Sequence, residues 1–404
     1  MLNLSRADVE GIKIIIALLG MVLLLGEYLY YRRRIRVSGN SEPGKTYQSV
    51  FAILLISLAV FSVGNYYSFS WRVASHNIEA YDLFHYYINS KYFDKLSYDR
   101  LYECALVADE RHKKKFKHIV MVRNLKTYDM KSRKSVMDDA DECRKLFSKS
   151  EWREFKRDVY NIGVHLRRSE AATMFTDRGY NATPAGNFML SLLTRWSSST
   201  DIQLLNKIDM LLVACAFLAI GWAFGWKVSL FSIIAFTTMW PSRWPLVGHA
   251  LLRYDWSSAL VIGICMTAKK RHMAGGAFIA YAALVRIFPL MFVAGLGLKY
   301  LTEVKWKNAR SNLRKLFIAR YMRFAAGFAA CVLLITGASM LMYPPEHYVD
   351  SAMNMKEHIK AENLSFQRMG FEIATHYRFE TDKREMGGHG NTARKGRIDR
   401  HRKF

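Results

Sequence analysis

Eleven residues, Glu79-Ala-Tyr-Asp82-Leu-Phe-His85-Tyr-Tyr-Ile-Asn89, bring together two carboxylates, an imidazole, a carboxamide and three tyrosines. They start about a dozen residues after an apolar segment long enough to cross a membrane. A carboxylate in an aromatic, partly buried setting can take the proton from an acceptor hydroxyl. Asp82 is the candidate for that task and Glu79 the fallback. If residues 80–92 are helical, Asp82, His85, Tyr86 and Asn89 share one face, so the last three are candidate substrate contacts. The bland alternative is an aspartate placed at a helix start by the helix dipole. A divalent cation held by Asp82 and His85 is a further use, but two ligands fall short of a site.

Other charged residues fall at similar positions. Arg286, in Leu284-Val-Arg-Ile-Phe-Pro289, interrupts an apolar stretch. A cation there can clamp a phosphate or reach to lipid headgroups. Asp255 follows Arg253-Tyr254, which suggests an Arg253–Asp255 pair. His347 and Lys356 follow the last apolar segment and are candidate lipid-phosphate contacts. Asn181-Ala-Thr183 and Asn363-Leu-Ser365 match the glycan-acceptor pattern.

The elements that must position these groups are membrane helices. The chain has 404 residues, 51% hydrophobic and 14% aromatic, and a net charge of +25. Its mean hydropathy near zero averages apolar stretches with densely charged ones. The basic runs Arg32–Arg36, Lys269–His272 and Lys305–Arg323 adjoin apolar segments, as orientation signals do. No zinc-finger, RNA-recognition or homeodomain pattern accompanies them, so nucleic acid is not an expected partner. The expected spans run Ile12–Tyr31, Tyr47–Tyr67, Ile208–Trp226, Val228–Trp240, Ser257–Ala268 and Phe324–Tyr343. Between the last two, Pro289 and the cost of a mid-membrane arginine predict two short helices, Ala274–Val285 and Phe288–Leu301.

Four regions follow. Residues 1–67 are two N-terminal membrane helices. Residues 68–207 form a large extracytoplasmic loop, 208–343 a bundle of five to six membrane segments, and 344–404 an outer loop with a basic, disordered tail from Thr381. Arg32–Arg36 stays cytoplasmic, and Asp82, Asp255, Arg286, His347 and Lys356 then share the outer side. Within the loop, Ser148-Lys-Ser-Glu151 reads as a capping box. The spacing of Trp152, Phe155, Val159 and Ile162 predicts an amphipathic helix on the membrane surface or the bundle, or one that simply packs. Of five cysteines, Cys215, Cys265 and Cys331 sit in apolar segments. Cys104 and Cys143 share the loop and can pair if it is extracytoplasmic. Gly387-Gly-His-Gly390 has neither strand nor helix beside it and is not a phosphate cradle.

With Asp82 in Tyr81-Asp-Leu-Phe-His-Tyr-Tyr, the broken helix at Leu284-Val-Arg286-Ile-Phe-Pro289 and a multi-span layout with an ordered outer loop, the stretch Tyr47–Tyr343 resembles the GT-C superfamily of polytopic glycosyltransferases. The segment Asp82–Phe93 is nearest its mannosyltransferase-like branch. The resemblance implies an all-α integral membrane protein, a GT-C-like multi-span bundle with a large, mainly helical extracytoplasmic loop. It implies inverting sugar transfer from a polyprenyl-phosphate donor to an unidentified acceptor, with Asp82 as base and Arg286 at the lipid phosphate. No cofactor is required, and membrane lipids and other subunits of a membrane complex are the remaining expected partners. The expected location is the inner or plasma membrane. The chain departs from the family in an extra span before the acidic loop, in a single acid rather than a pair, and in its seven or eight membrane segments. It is expected to be a shortened member or to have further spans after Arg402-Lys-Phe404. The rival reading is a non-enzymatic membrane scaffold whose basic outer loop binds a partner or an anionic envelope polymer. A transporter should show paired repeats and intramembrane acids, and the sequence has neither.

Overall fold

A computed structural model describes residues 5–38, 44–76, 78–239, 242, 244, 248–304 and 318–359. The Thr381 tail, Asn363-Leu-Ser365, Gly387–Gly390 and residues 305–317 of the basic stretch lie outside them. The chain divides into two units, Met1–Pro344 and Pro345–Phe404.

The first unit opens with α1 (Arg6–Ser38) and α2 (Lys45–Tyr66). Next come the short helix Ala80–Leu83, a π-helical turn Phe84–Ile88 and the helical turn Asn89–Lys91. Then follow α3 (Leu101–Glu110), β1 (Met121–Arg123), β2 (Met130–Ser132), α4 (Lys149–Gly163) and α5 (Pro184–Thr194). The apolar helices return with α6 (Lys207–Phe224), α7 (Trp226–Thr238), α8 (Asp255–Ala268), α9 (His272–Val285), α10 (Leu290–Glu303) and α11 (Ala319–Met342). The two strands pair antiparallel, with Val122 opposite Lys131.

This is a helical membrane protein. Among the described residues, four helical stretches are long and apolar enough to cross a membrane: Ala7–Arg36, Lys45–Tyr66, Ile202–Phe224 and Ala319–Met342. The apolar helices α7, α8 and α9 are shorter, 13 or 14 residues each, so each is only about 20 Å long. The expected break at Arg286–Pro289 is present between α9 and α10. Arg286 adopts an extended backbone at the end of α9 because Pro289 cannot continue the ladder.

Side-chain contacts fix which ends of α9 and α11 meet the loop domain. Tyr343, at the end of α11, packs into the aromatic core of the loop domain beside Phe93. The Thr183 hydroxyl donates to the Leu284 carbonyl at the end of α9, 2.6 Å away. The opposite ends gather cations. Lys269 and Arg271 lie over Trp222, and Arg320 pairs with Glu303. Gly225, at φ +95°, makes the reversal from α6 to α7, a conformation side chains disfavour.

Close backbone approach holds α9 in place. A Cβ on Gly276 would overlap the Phe324 carbonyl oxygen, and one on Gly327 would overlap that of Met273. Small residues at such crossings let membrane helices pack backbone to backbone. The α9 helix thus lies between α8 and α11, with Arg286 at its loop-domain end.

The loop region folds around its own aromatic core, which includes Phe84, Tyr87, Phe116, Phe155 and Phe175. The Ser148 capping box forms as its sequence predicts. Trp152, Phe155, Val159 and Ile162 are buried in that core, and α4 packs on α3 and the 84–88 turn. Of the two expectations for this helix, simple packing is the one that holds: the apolar stripe is used up inside the loop domain, not on the membrane surface or the bundle. Cys104 and Cys143 form a disulfide joining α3 to the helix Ala140–Lys145.

The second unit is described over residues 345–359, where α12 (Glu346–Ile359) forms. His347 faces Asp350 at 3.3 Å on this helix, and Lys356 is exposed there.

Candidate functional site

The turn before α8 builds the centre of the site. His249, Leu251 and Leu252 all have positive φ, between 51° and 62°. Three non-glycine residues in this region are costly and persist only where surroundings enforce them. Here the Asp209 carboxylate accepts the backbone N–H groups of Arg253 and Tyr254, at 3.1 and 3.0 Å. The His249 carbonyl accepts the Asn206 carboxamide at 2.8 Å. The turn so fixed projects Arg253 toward the loop domain.

Arg253 pairs with Asp82 at 3.0 Å, their side chains 24% and 19% exposed. Burial works against the Arg253 cation, and the Asp82 charge, Tyr86 and the Asp209 charge together more than offset it. The Arg253 guanidinium also lies over the Tyr86 ring, 5.2 Å from its centroid. Arg286 approaches the same ring at 5.9 Å and donates to the Tyr86 hydroxyl at 3.2 Å. That hydroxyl donates in turn to Asn181 Oδ1 at 2.7 Å. Two guanidinium groups therefore meet at one tyrosine, an arrangement that holds cations by their attraction to the ring face while leaving positive charge available to an anion.

An apolar cavity of about 490 Å³ opens at the start of α8, two residues beyond Arg253, and Asp82, Tyr86, Arg253 and Arg286 are not among its lining residues. Leu192, Leu212, Leu252, Ile262 and Phe278 are among its walls, and its polar edge is Asp255 and Tyr281. Asp255 is 5% exposed and lies within electrostatic reach of both Arg286 and Arg253. Its carboxylate accepts the Tyr281 hydroxyl at 2.7 Å and the Trp256 N–H at 2.6 Å. The expected Arg253–Asp255 pair is thus corrected: Asp255, the first residue of α8, holds the Trp256 N–H and the Tyr281 hydroxyl, and the Arg253 side chain goes to Asp82.

Glu79 stands beside Asp82, its backbone N–H on the His249 carbonyl at 3.4 Å. Burial, then the charges of Asp82 and Glu170, push its carboxyl up to about 7, against the pull of Arg253.

The shared face expected for Asp82, His85, Tyr86 and Asn89 does not form. The π turn at 84–88 has a wider pitch than an α-helix, so the four side chains go separate ways. Asp82 and Tyr86 reach the arginines. His85 is buried in the loop core, with Nδ1 donating to the Tyr81 carbonyl at 2.9 Å and Nε2 2.5 Å from the Tyr102 hydroxyl. Tyr81 and Tyr102 both donate to Asp177. Asn89 is fully buried and donates to the Ser97 carbonyl at 2.8 Å. His85 and Asn89 are therefore framework residues, and no cation site forms between His85 and Asp82. Among the described residues, no three His, Cys, Asp or Glu side chains gather as a metal-binding set. His347 and Lys356 belong to the second unit.

Sequence reasoning gave Arg253 the wrong partner and missed Tyr281 altogether. Asn181 stood out only as a glycan acceptor, whereas its carboxamide holds Tyr86 and Thr183 caps α5. No family model, curated protein or solved structure matches this chain.

Proposed function

We propose that the protein is an integral-membrane glycosyltransferase of GT-C type, using a polyprenyl-phosphate sugar as donor. The observation that carries this reading is the convergence of Arg253 and Arg286 on Tyr86, beside an apolar cavity, with the Asp82 carboxylate bound to one of them. An isoprenoid chain fits the cavity by its apolar lining. The donor phosphate fits the two guanidiniums, which bind phosphate in charge-assisted pairs.

In the proposed step the acceptor hydroxyl oxygen attacks the anomeric carbon from the side opposite the phosphate. The bond from that carbon to the phosphate oxygen breaks, and the lipid phosphate leaves with the electron pair. Asp82 takes the hydroxyl proton. Arg253 and Arg286 stabilise the charge that builds on the leaving oxygen. Attack from the opposite face inverts the configuration at the anomeric carbon.

The loop domain is proposed to face an oxidising compartment, which the Cys104–Cys143 bond supports. The basic Lys269–Arg271 turn between α8 and α9, at the ends away from the loop domain, supports the same orientation.

The test is transfer of radiolabelled sugar from a panel of polyprenyl-phosphate sugars, with the protein in nanodiscs. Transfer that Asp82→Asn abolishes, in a protein still inserted and disulfide-bonded, is the expected result. Turnover unchanged by Asp82→Asn, or transfer from no donor, removes the enzyme reading in favour of the scaffold.

A further inference from the structure

The loop domain presents a second cationic surface that the proposed reaction does not use. The segment Arg111-His-Lys-Lys-Lys-Phe-Lys-His118 connects α3 to β1. It is pinned at several points. Asp109 accepts the backbone N–H groups of Lys115 and Phe116, both at 2.7 Å. Phe116 is fully buried, edge-on to Phe84 and Phe175. Lys114 turns the chain with φ +55°. The His112 ring packs edge-on against Tyr160 of α4, 5.5 Å between centroids.

The fixed turn therefore displays its lysines next to those of α4. Burial and then the nearby Lys156 and Lys113 charges lower the pKa of His112. Burial and then Lys115 lower that of His165. These like charges are close neighbours in space, at a cost the fold has to bear. Nearby acids neutralise only part of the surface. Glu110 takes Lys114 and Arg133, Asp141 takes Arg111, and Glu154 takes Arg157. Among the described residues, Lys113, Lys115, Lys117 and Lys156 have no carboxylate within ion-pair distance; Lys113 and Lys117 are exposed and Lys115 and Lys156 partly so.

This surface lies on a different part of the loop domain from the helix that meets the bundle. It rests on α3 and α4, which pack on each other and on the loop core, whereas α5 is the loop helix that packs on α9 and α11. The turn itself displays Lys113, Lys115 and Lys117 without ion-pair partners among the described residues, and such mobile point charges suit flexible anionic groups more than a fixed bidentate one.

We infer that the Lys113–Lys117 turn and the adjoining face of α4 bind a flexible, water-soluble polyanion carrying repeated phosphate or carboxylate groups. This holds whether or not the protein transfers sugar, because it rests on a surface distinct from the Tyr86 cluster. The expected binding is electrostatic and salt-dependent, with the lysines displacing the polymer's counterions.

The experiment uses the full chain in phosphatidylcholine nanodiscs and long-chain inorganic polyphosphate as probe. Fluorescence anisotropy is read across a salt series, and flotation with phosphatidylglycerol vesicles is the membrane arm. The triple variant K113E/K115E/K117E is expected to bind polyphosphate at least about tenfold more weakly at 0.15 M salt. The double variant K126E/K134E, which reverses two exposed lysines elsewhere in the loop domain, should change affinity less than about threefold, since it removes no contact. If the triple reversal misfolds, K113Q/K115Q/K117Q reads the same point, its salt slope falling by about two. Equal loss in the triple and double variants, no loss in the triple, absence of polyphosphate binding, or capture of anionic vesicles in place of polyphosphate would each overturn the proposal.

Discussion

Asp82 and Arg253 are 171 positions apart in the chain, and their side chains meet at 3.0 Å where the loop domain joins the membrane helices. The pair sets a condition on the proposed reaction. The Asp82 oxygen that meets the guanidinium is occupied while the pair lasts. A donor phosphate that takes Arg253 for itself would release Asp82 when the acceptor needs it. The two residues should therefore fail differently. Asp82→Asn is expected to lower kcat about 10²- to 10⁴-fold with little change in donor KM, the usual range for loss of a general base. Arg253→Gln is expected to raise donor KM as well as lower kcat, because it removes phosphate binding. Steady-state kinetics on both variants check this. Equal KM values for them would show that Arg253 does not meet the donor.

Glu79 gives the site a pH dependence. Its carboxyl, pushed up to about 7, is neutral in the folded protein below that pH and charged above it. Ionisation adds a second negative charge beside Asp82 and Arg253, where the donor phosphate has to bind. Donor KM is expected to rise as pH goes up through about 7, and Glu79→Gln should flatten that rise. The measurement is KM against pH for both proteins, and a rise of the same size in the variant would exclude Glu79 as its source.

The large features of this chain were legible because they depend on local physics. Apolar runs of span length gave α1, α2, α6 and α11, Pro289 gave the break between α9 and α10, and Ser148 with Glu151 gave the start of α4. The site was less legible because it depends on exceptions to those rules. The positive φ angles at His249, Leu251 and Leu252 fall on residues that do not advertise them, so Arg253 could not be aimed from sequence. The π turn at 84–88 leaves no periodic signature, and it sends His85 and Asn89 into the core. Asp177, which receives His85's neighbours Tyr81 and Tyr102, lies in a turn where nothing local marks it as a core acid.

That Asp177 cluster sets the pH response of the loop domain. Burial disfavours the His85 imidazolium, but the charge and hydrogen bond of Asp177, 3.6 Å away, with the Asp82 charge and the Tyr81 carbonyl, together raise its pKa above the ordinary value. Burial likewise opposes ionisation of Asp177, while the His85 charge and the hydrogen bonds from His85, Tyr102 and Tyr81 hold its carboxyl below the ordinary value. The raised histidine contributes stability that is complete below about 6.5, its unfolded pKa, and is lost as pH rises through the folded one. The depressed aspartate contributes above about 3.9 and is lost as pH falls through its folded value. Loop-domain stability is expected to peak between these limits. Asp177→Asn should cost about 1–2 kcal/mol near pH 6, the scale for losing charged hydrogen bonds at a half-buried carboxylate, and should remove the decline on the alkaline side. Thermal unfolding of the full chain across pH 4–9 reads both effects.

The position of Arg286 depends on how tightly α9 fits between its neighbours. Gly276 meets the α11 backbone at Phe324, and Gly327 meets the α9 backbone at Met273. Neither carbonyl is a flexible group that can swing aside, so a side chain at either glycine has to push the helices apart. That shift would carry the end of α9, and Arg286 with it, away from Tyr86. Gly276→Leu and Gly327→Leu are each expected to destabilise by roughly 1–3 kcal/mol or more, the cost of overpacking. They should also lower transfer about as much as Arg286→Ala, although neither residue touches the cavity. Gly295, on α10, has nothing within 4 Å of an added Cβ, so Gly295→Leu serves as the control and should leave both properties near those of the parent. Unfolding in detergent and transfer by the three variants together read the effect. Full transfer in a destabilised Gly327→Leu protein would show that the placement of Arg286 does not depend on this crossing.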